Sequence, residues 1–308
     1  MSEVCSCGKI HKTSVKKVVS EPGAVEKISE FIKFFNSSKP FILADMNTYK
    51  EAGERVSQIL HKDGISYSEY VFGGGEVKPD EKSVGSVMMH YDSDCDLIIA
   101  VGSGVINDIG KILSRLTKNP YIIVATAPSM DGYASAASSM DVDGLKISLS
   151  SRCPDVIIGD TDILKNAPIR MIQSGLGDML AKYISICEWR IAHLLIGEYY
   201  CEYVADLVRT ALKKCIDTAD GVLKREQKAV KAVFDGLIMG GMAMEYAGIS
   251  RPASGVEHYI SHIWDMRGLA FGTKTDLHGI QCDIGTLVAA QVYEKLKKYS
   301  PDKEKALA

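Results

Sequence analysis

The run Asp96-Leu-Ile-Ile-Ala-Val101 passes straight into Gly102-Ser-Gly-Val-Ile-Asn-Asp108, and the helical pattern Ile106–Thr117 follows it. An apolar run with no polar alternation predicts a strand buried on both faces, the kind found inside parallel sheets. Strand, glycine turn and helix in succession make one βα step. The glycines let the backbone come close to a pyrophosphate, whose charge the helix N-terminus then holds. The full G-x-G-x-x-G is absent, because Asn107 stands where the third glycine would be, and a plain βα turn is the alternative reading. The next strand ends in Thr126 rather than an acid, so an ordinary Rossmann dehydrogenase is a poor fit.

The same step recurs on both sides of this stretch. Phe41–Asp45 reads as a strand, Tyr49–Lys62 as an amphipathic helix, Tyr67–Phe72 as a second strand and Asp80–Tyr91 as a second helix. Tyr121–Thr126 and Asp155–Asp160 are further buried strands. Buried strands separated by helices predict an α/β N-terminal nucleotide-binding domain with a parallel, Rossmann-like sheet. Ser129–Ser151, rich in Ser, Ala, Gly and Asp, suits a hairpin or long loop over the sheet edge. Thr126-Ala-Pro-Ser129-Met-Asp131-Gly-Tyr-Ala-Ser135 leaves a strand at its carboxyl end, where such sheets bind ligands. After Ala167-Pro168 the pattern is helical to the end. The expected division is residues 1–165 as the α/β domain and 166–308 as an all-helical domain.

Composition narrows the function classes. The 308 residues are 46% hydrophobic and 24% charged with a net charge of −3, which is an ordinary globular profile without the basic footprint of a nucleic-acid binder. The eight cysteines are scattered, several within apolar runs, and read as reduced core residues of a cytoplasmic protein. No apolar signal-peptide core opens the chain, and the Leu237–Ile249 run is shorter than the ~20 residues a membrane span needs. Cys5-Ser-Cys7-Gly-Lys-Ile-His11 offers three donors in a cramped spacing where a structural zinc site needs about four, so a short edge segment is expected there.

In the helical part, Ser174-Gly-Leu-Gly-Asp178-Met-Leu-Ala-Lys182 reads as a helix opening with Ser174 as its N-cap. Downstream, Arg251-Pro-Ala-Ser-Gly-Val-Glu-His258-Tyr-Ile-Ser-His262 sets two histidines at i, i+4 on one helical face, and Asp276-Leu-His278-Gly279 adds a third. The zinc-protease pattern H-E-x-x-H fails, because Tyr259 fills the glutamate position. An aspartate with two histidines would leave positions open on a metal, as catalytic sites do.

Taken together and in this order, Gly102–Asp108, Thr126–Ser135, Ser174–Asp178, Arg251–His258 and Leu277–Gly279 resemble the sn-glycerol-1-phosphate dehydrogenases. That family belongs to the iron-containing alcohol dehydrogenase and dehydroquinate synthase superfamily. The resemblance covers nearly the whole chain, and Cys5-x-Cys7-Gly with His11 is similar to the N-terminus of its bacterial branch. It implies a cleft between the two domains and NAD or NADP as cofactor. It also implies one divalent metal, zinc first with nickel or iron as alternatives, bound by Asp178, His258 and His278. Gly102, Gly104, Val105, Ile106, Asn107, Asp108, Thr126, Ala127, Pro128, Ser129 and Ser135 would contact the cofactor, and Asp45 its adenine-side ribose. Asp131 and His262 would contact substrate with Asp178 beside them; Asp178 and His262 are the expected catalytic residues. The family usually has more helical chain after His278, so a short or truncated member is expected; a homo-oligomer is expected as well.

The expected reaction interconverts dihydroxyacetone phosphate and sn-glycerol 1-phosphate, a step in phospholipid biosynthesis. A polyol dehydrogenase acting on glycerol, a dehydroquinate-synthase-like cyclase and a non-catalytic nucleotide-binding protein are the rivals. A phosphate-binding cation separates the first two; Arg251 and Lys146 are the candidates.

Overall fold

The computed structural model describes residues 4–300. Six strands, β1 (Lys17–Glu21), β2 (Pro40–Asp45), β3 (Ser68–Phe72), β4 (Leu97–Gly102), β5 (Tyr121–Ala125) and β8 (Val156–Asp160), form one sheet in the order β1-β8-β5-β4-β2-β3, every pair parallel. The hairpin β6 (Ala137–Val142) and β7 (Leu145–Ser150) stands apart as a two-stranded antiparallel ribbon. The helices are α1 (Ile28–Phe34), α2 (Met46–Thr48), α3 (Glu54–Lys62), α4 (Glu81–His90), α5 (Gly104–Thr117) and α6 (Thr161–Leu164) around the sheet. After it come α7 (Ile169–Ile196), α8 (Glu202–Asp217), α9 (Gln227–Ala247), α10 (Val256–Phe271) and α11 (His278–Leu296).

Every residue of β4, β5 and β8 is buried, as continuous apolar runs covered on both faces must be. One face packs Ile42, Ile99, Val101, Val124 and Ile158 against α1 and α3. The other packs Leu43, Ile98, Ala100, Ile123 and Ile157 in a core that continues without a break into Met179, Val233, Phe234 and Leu237 of α7 and α9. Gly159 makes room for this joint, since a Cβ there would run into the Phe234 ring. The chain reverses its direction of travel across the sheet between β2 and β4, which are hydrogen-bonded neighbours. Loops leaving the carboxyl ends of two such strands splay apart, and the crevice between them is where open α/β sheets bind ligands.

Three expectations are corrected. The sheet has an edge strand, β1, that the sequence reading left unassigned; its only apolar residues are the adjacent Val18 and Val19, too short a run to announce a buried strand, and no residue of it is buried. The Cys5–His11 segment precedes this strand and pairs with no sheet. The helix expected to open at Ser174 begins instead at Ile169, so Ser174–Asp178 lie inside it. Its glycines are not turn formers. A Cβ at Gly175 would collide with the Pro128 carbonyl, and one at Gly177 would come within 2.6 Å of the Gly279 carbonyl oxygen. They let the helix touch other backbone directly. The Ser129–Ser151 stretch does form a hairpin, turning at Asp143 and Gly144, both with positive φ. It lies against α10, where Lys146 Nζ is 2.8 Å from Asp265 Oδ2.

Candidate active site

The cleft, of about 970 Å³, runs from the β2 and β4 strand ends to the first turns of α10 and α11. Its sheet side begins at Asp45, which caps α2 by accepting Asn47 N–H (2.8 Å) and Thr48 N–H (3.0 Å) on a single oxygen. Ser103, Gly104, Val105 and Ile106 line the next stretch, with the N-terminus of the 14-residue α5 facing it. A Cβ on Gly104 would meet only the Met130 methyl at 3.4 Å, so the glycine leaves open space on the ligand side. Asp108, Thr126, Ala127, Ser129, Asp131 and Ser135 complete this wall.

Three expected cofactor contacts stand behind the wall. Gly102 is buried under Ile106, and its carbonyl accepts Thr126 N–H. Asn107 is fully buried and donates to the Gly132 carbonyl (3.1 Å) while accepting the Tyr121 hydroxyl (3.0 Å). Pro128 has its carbonyl pressed against Gly175. These residues shape the loop and do not line the cleft; Asn107, in the slot of a third glycine, ties the loop from behind.

On the helical side, close packing gathers residues distant in sequence. Ser174 Oγ donates to the Ser129 carbonyl (2.9 Å) and accepts Gly279 N–H (3.1 Å), so one side chain fixes both the loop after β5 and the start of α11. With Gly177 and Gly279 allowing contact, His278 at the head of α11 comes over Asp178 of α7. His258, on the first turn of α10, completes the group. Donor atoms of Asp178, His258, His278 and Cys282 all lie within 4.8 Å of one another. The His258 and His278 rings are 5.1 Å apart, and His262 sits one turn on, 6.2 Å from His278.

The hydrogen bonds assign tautomers. Glu257 Oε1, itself buried, lies 2.7 Å from His258 Nδ1 and accepts a hydrogen bond from its N–H. Nε2 of the same ring faces Asp178 Oδ1 at 3.8 Å, beyond hydrogen-bond distance. His278 Nδ1 has the Ser261 hydroxyl at 3.4 Å.

Sequence reading missed a partner at the centre. Lys182, fully buried, bonds Asp178 Oδ1 at 2.7 Å and Asp131 Oδ2 at 2.6 Å. Its signal was present, since Lys182 is four residues from Asp178 on the same face of α7, but an i, i+4 pair is usually a surface feature. The Asp131 N–H closes the ring by donating to Asp178 Oδ2 (2.9 Å). Burial raises the Asp178 carboxyl, yet the charge and hydrogen bond of Lys182 outweigh it and hold the group at about 2. Burial works against the Lys182 ammonium, but Asp131 and Asp178 together hold it above its usual range. Asp131 is raised by burial and by the Asp178 charge. Burial lowers His278 to about 3 and also lowers His262, so both imidazoles are neutral near pH 7. Cys282, behind His278, is pushed up by burial and stays a neutral thiol.

The parallel sheet, the cleft at its switch point and the Asp–His–His group facing it define a dehydrogenase of the iron-containing alcohol dehydrogenase type. The model of that family, described as iron-containing alcohol dehydrogenase, matches residues 19–168. Solved structures agree on the fold. A glycerol dehydrogenase from Schizosaccharomyces pombe superposes with a TM-score of 0.72 at 23% identity, covering 92% of this chain and 72% of that one. An iron-containing alcohol dehydrogenase from Thermococcus thioreducens gives 0.69 at 16% identity, covering 88% and 73%. Among curated proteins, the glycerol-1-phosphate dehydrogenase (NAD(P)+) of Geobacillus thermodenitrificans is 32% identical over 286 residues, 92% of this chain and 71% of the relative. That of Thermococcus sibiricus is 35% identical over 245 residues, 78% and 69%. The chain belongs to the glycerol-1-phosphate dehydrogenase family. Among the described residues no helix is long and apolar enough to cross a membrane.

Proposed function

We propose that the chain uses NAD(P)H to reduce dihydroxyacetone phosphate to sn-glycerol 1-phosphate, with a divalent cation held by Asp178, His258 and His278. One observation carries this reading. The histidines of the buried Asp–His–His group line the same cleft as the glycine turn at the head of α5. The donor set fits a cation. Nε2 of His258 and Oδ1 of Asp178 face each other 3.8 Å apart, too far for a hydrogen bond, and the buried Asp131 and Asp178 carboxylates share one fully buried ammonium, Lys182. Oxygen and imidazole donors in a site that opens on one side suit zinc, with nickel or iron as alternatives.

When bound, the cation supplies positive charge against the carbonyl oxygen that becomes anionic as the nicotinamide gives up its hydride. The chain does the rest. Ser103–Ile106 and the α5 N-terminus receive the dinucleotide phosphates, and Asp45 meets the ribose across the switch point. Lys182 locks Asp131 and Asp178 in place, so neither carboxylate swings when substrate enters. His262, neutral and facing the cleft, is placed to donate a hydrogen bond to a substrate hydroxyl or pass the proton that the product oxygen needs. Of the two phosphate candidates, Arg251 is engaged by Glu198 through two bonds of 2.9 Å and does not line the cleft. Lys146 does line it, and its ion pair with Asp265 is the contact that substrate phosphate would share.

The test is NADH oxidation with dihydroxyacetone phosphate beside dihydroxyacetone. The phosphorylated ketone is expected to lead in kcat/KM by on the order of 100-fold, about 3 kcal/mol, the strength of one or two charge-assisted hydrogen bonds. Comparable values would move the protein to the polyol branch, and turnover without net NADH change would make it a cyclase.

A further inference from the structure

A second group of metal-ligand side chains lies outside the cleft, where the N-terminal segment meets the helical half of the molecule. Cys201, the residue before α8, is brought against Cys5, Cys7 and His11, and the four donor atoms lie within 4.8 Å of one another. The segment spacing gave three donors where about four are needed; the fold supplies the fourth from 190 residues away.

The distances match a tetrahedron. With zinc–sulfur bonds of about 2.3 Å and a zinc–nitrogen bond of about 2.0–2.1 Å, the edges between ligand atoms are about 3.8 Å for sulfur pairs and about 3.5 Å for sulfur–nitrogen pairs. Cys5 Sγ and Cys201 Sγ are 3.7 Å apart, Cys7 Sγ and His11 Nε2 3.4 Å, and Cys201 Sγ and His11 Nε2 3.3 Å. All the cysteines are free, and a sulfur pair at 3.7 Å is far outside the ~2.05 Å of a disulfide.

The surroundings are built for negative sulfur and a fixed imidazole. His11 Nδ1 is 3.0 Å from the Tyr246 carbonyl, which accepts its N–H and so turns Nε2, as the acceptor nitrogen, toward the thiols. The Tyr199 hydroxyl is 3.3 Å from Cys7 Sγ, and the Lys9 ammonium lies 3.5 Å over the Tyr199 ring. Gly8, at φ +84°, turns the chain so that its N–H donates to the Cys5 carbonyl (2.8 Å) and Cys5 N–H to that of Lys9 (3.0 Å). This tight turn presents both sulfurs to one side. Cys201 is the N-cap residue of α8, so its sulfur stands at the head of that helix.

We propose that Cys5, Cys7, His11 and Cys201 form a second metal site, a closed tetrahedral zinc site with a structural role. It fastens the N-terminal segment to the head of α8 and the tail of α9. Lys9 Nζ adds a bond to the Ala247 carbonyl (3.1 Å), and Ser14 N–H donates to Glu245 (3.0 Å). The loop that follows α9 carries Ser250, Ala253 and Ser254 to the cleft and leads into His258, so the clamp anchors the base of that loop. All four protein ligands being present, it leaves no open position for substrate.

The test is metal analysis and cobalt substitution on the full chain, with Cys5→Ser, Cys201→Ser and His278→Ala beside the wild type. Cys5→Ser alters a partly exposed residue and serves if Cys201→Ser fails to fold. The wild type and His278→Ala should show the near-ultraviolet thiolate-to-cobalt charge-transfer band, and both cysteine variants should lose it along with one equivalent of zinc. The cysteine variants should also unfold at lower temperature while retaining the other equivalent. A wild type without the thiolate–cobalt band, unchanged zinc content in Cys5→Ser, or a Cys5–Cys201 disulfide in metal-replete protein would overturn the site. Failure of the glycerol-phosphate reading would leave these outcomes unaffected.

Discussion

The two clusters bring four donor side chains together by opposite means. At Asp178, His258 and His278 the donors are hard or intermediate and come from three helices, with the two histidines lining a cleft; a buried lysine and Glu257 tune them from behind. At Cys5, Cys7, His11 and Cys201 they are mostly sulfur, come from one tight turn and one helix head, and surround a closed space. An open position with oxygen and nitrogen donors suits chemistry, and a closed sulfur-rich set suits fastening. The contrast shows how donor type and openness, not merely the gathering of ligands, separate a working metal from a holding one.

The sharpest way to break this contrast is to remove a donor from the open cluster. Asp178→Ala should lower kcat by at least about 10³-fold, about 4 kcal/mol, while the thiolate–cobalt band of the other cluster persists. Steady-state NADH oxidation and the cobalt spectrum check both halves; loss of both would mean that the clusters are one cooperative unit. Next in size is Lys182→Met, which leaves Asp131 and Asp178 as buried carboxyl groups without their counterion. Removing one partner of such a pair costs about 3–5 kcal/mol, read by denaturant unfolding. A wild-type midpoint would show that Lys182 is dispensable to the ring.

Much of this was legible in the chain, for identifiable reasons. Leu97–Gly102 and Tyr121–Ala125 announce themselves because central parallel strands are apolar throughout. β1 does not, because an exposed edge strand carries no such run. Asp178, His258 and His278 were reached through the ordered motifs around them, not through spacing, since 100 residues separate the first from the last. Ser174 reads as a helix N-cap because an apolar run follows it; the contacts of Gly175 with Pro128 and of Gly177 with Gly279 exist only in three dimensions. Cys201 was invisible for the same reason, and without it the Cys5–His11 segment lacked a fourth ligand.

Smaller effects sharpen the picture. Gly104→Ala should fold, because its Cβ would meet only the Met130 methyl, yet weaken NADH binding about tenfold by entering space on the ligand side; titration of NADH fluorescence reads it. Smallest of all should be the effect of Cys5→Ser on turnover. With the open cluster intact, kcat should stay within about twofold of wild type although a metal equivalent and thermal stability are lost. A hundredfold loss of kcat with the fold retained would give the cysteine cluster a part in the chemistry.

The most direct measurement is dihydroxyacetone-phosphate-dependent NADH oxidation by the purified chain before and after chelation, and again after zinc is restored. Turnover should disappear with the metal of the Asp178 cluster and return with it. Undiminished turnover by protein shown to hold no metal at Asp178, His258 and His278 would contradict the account.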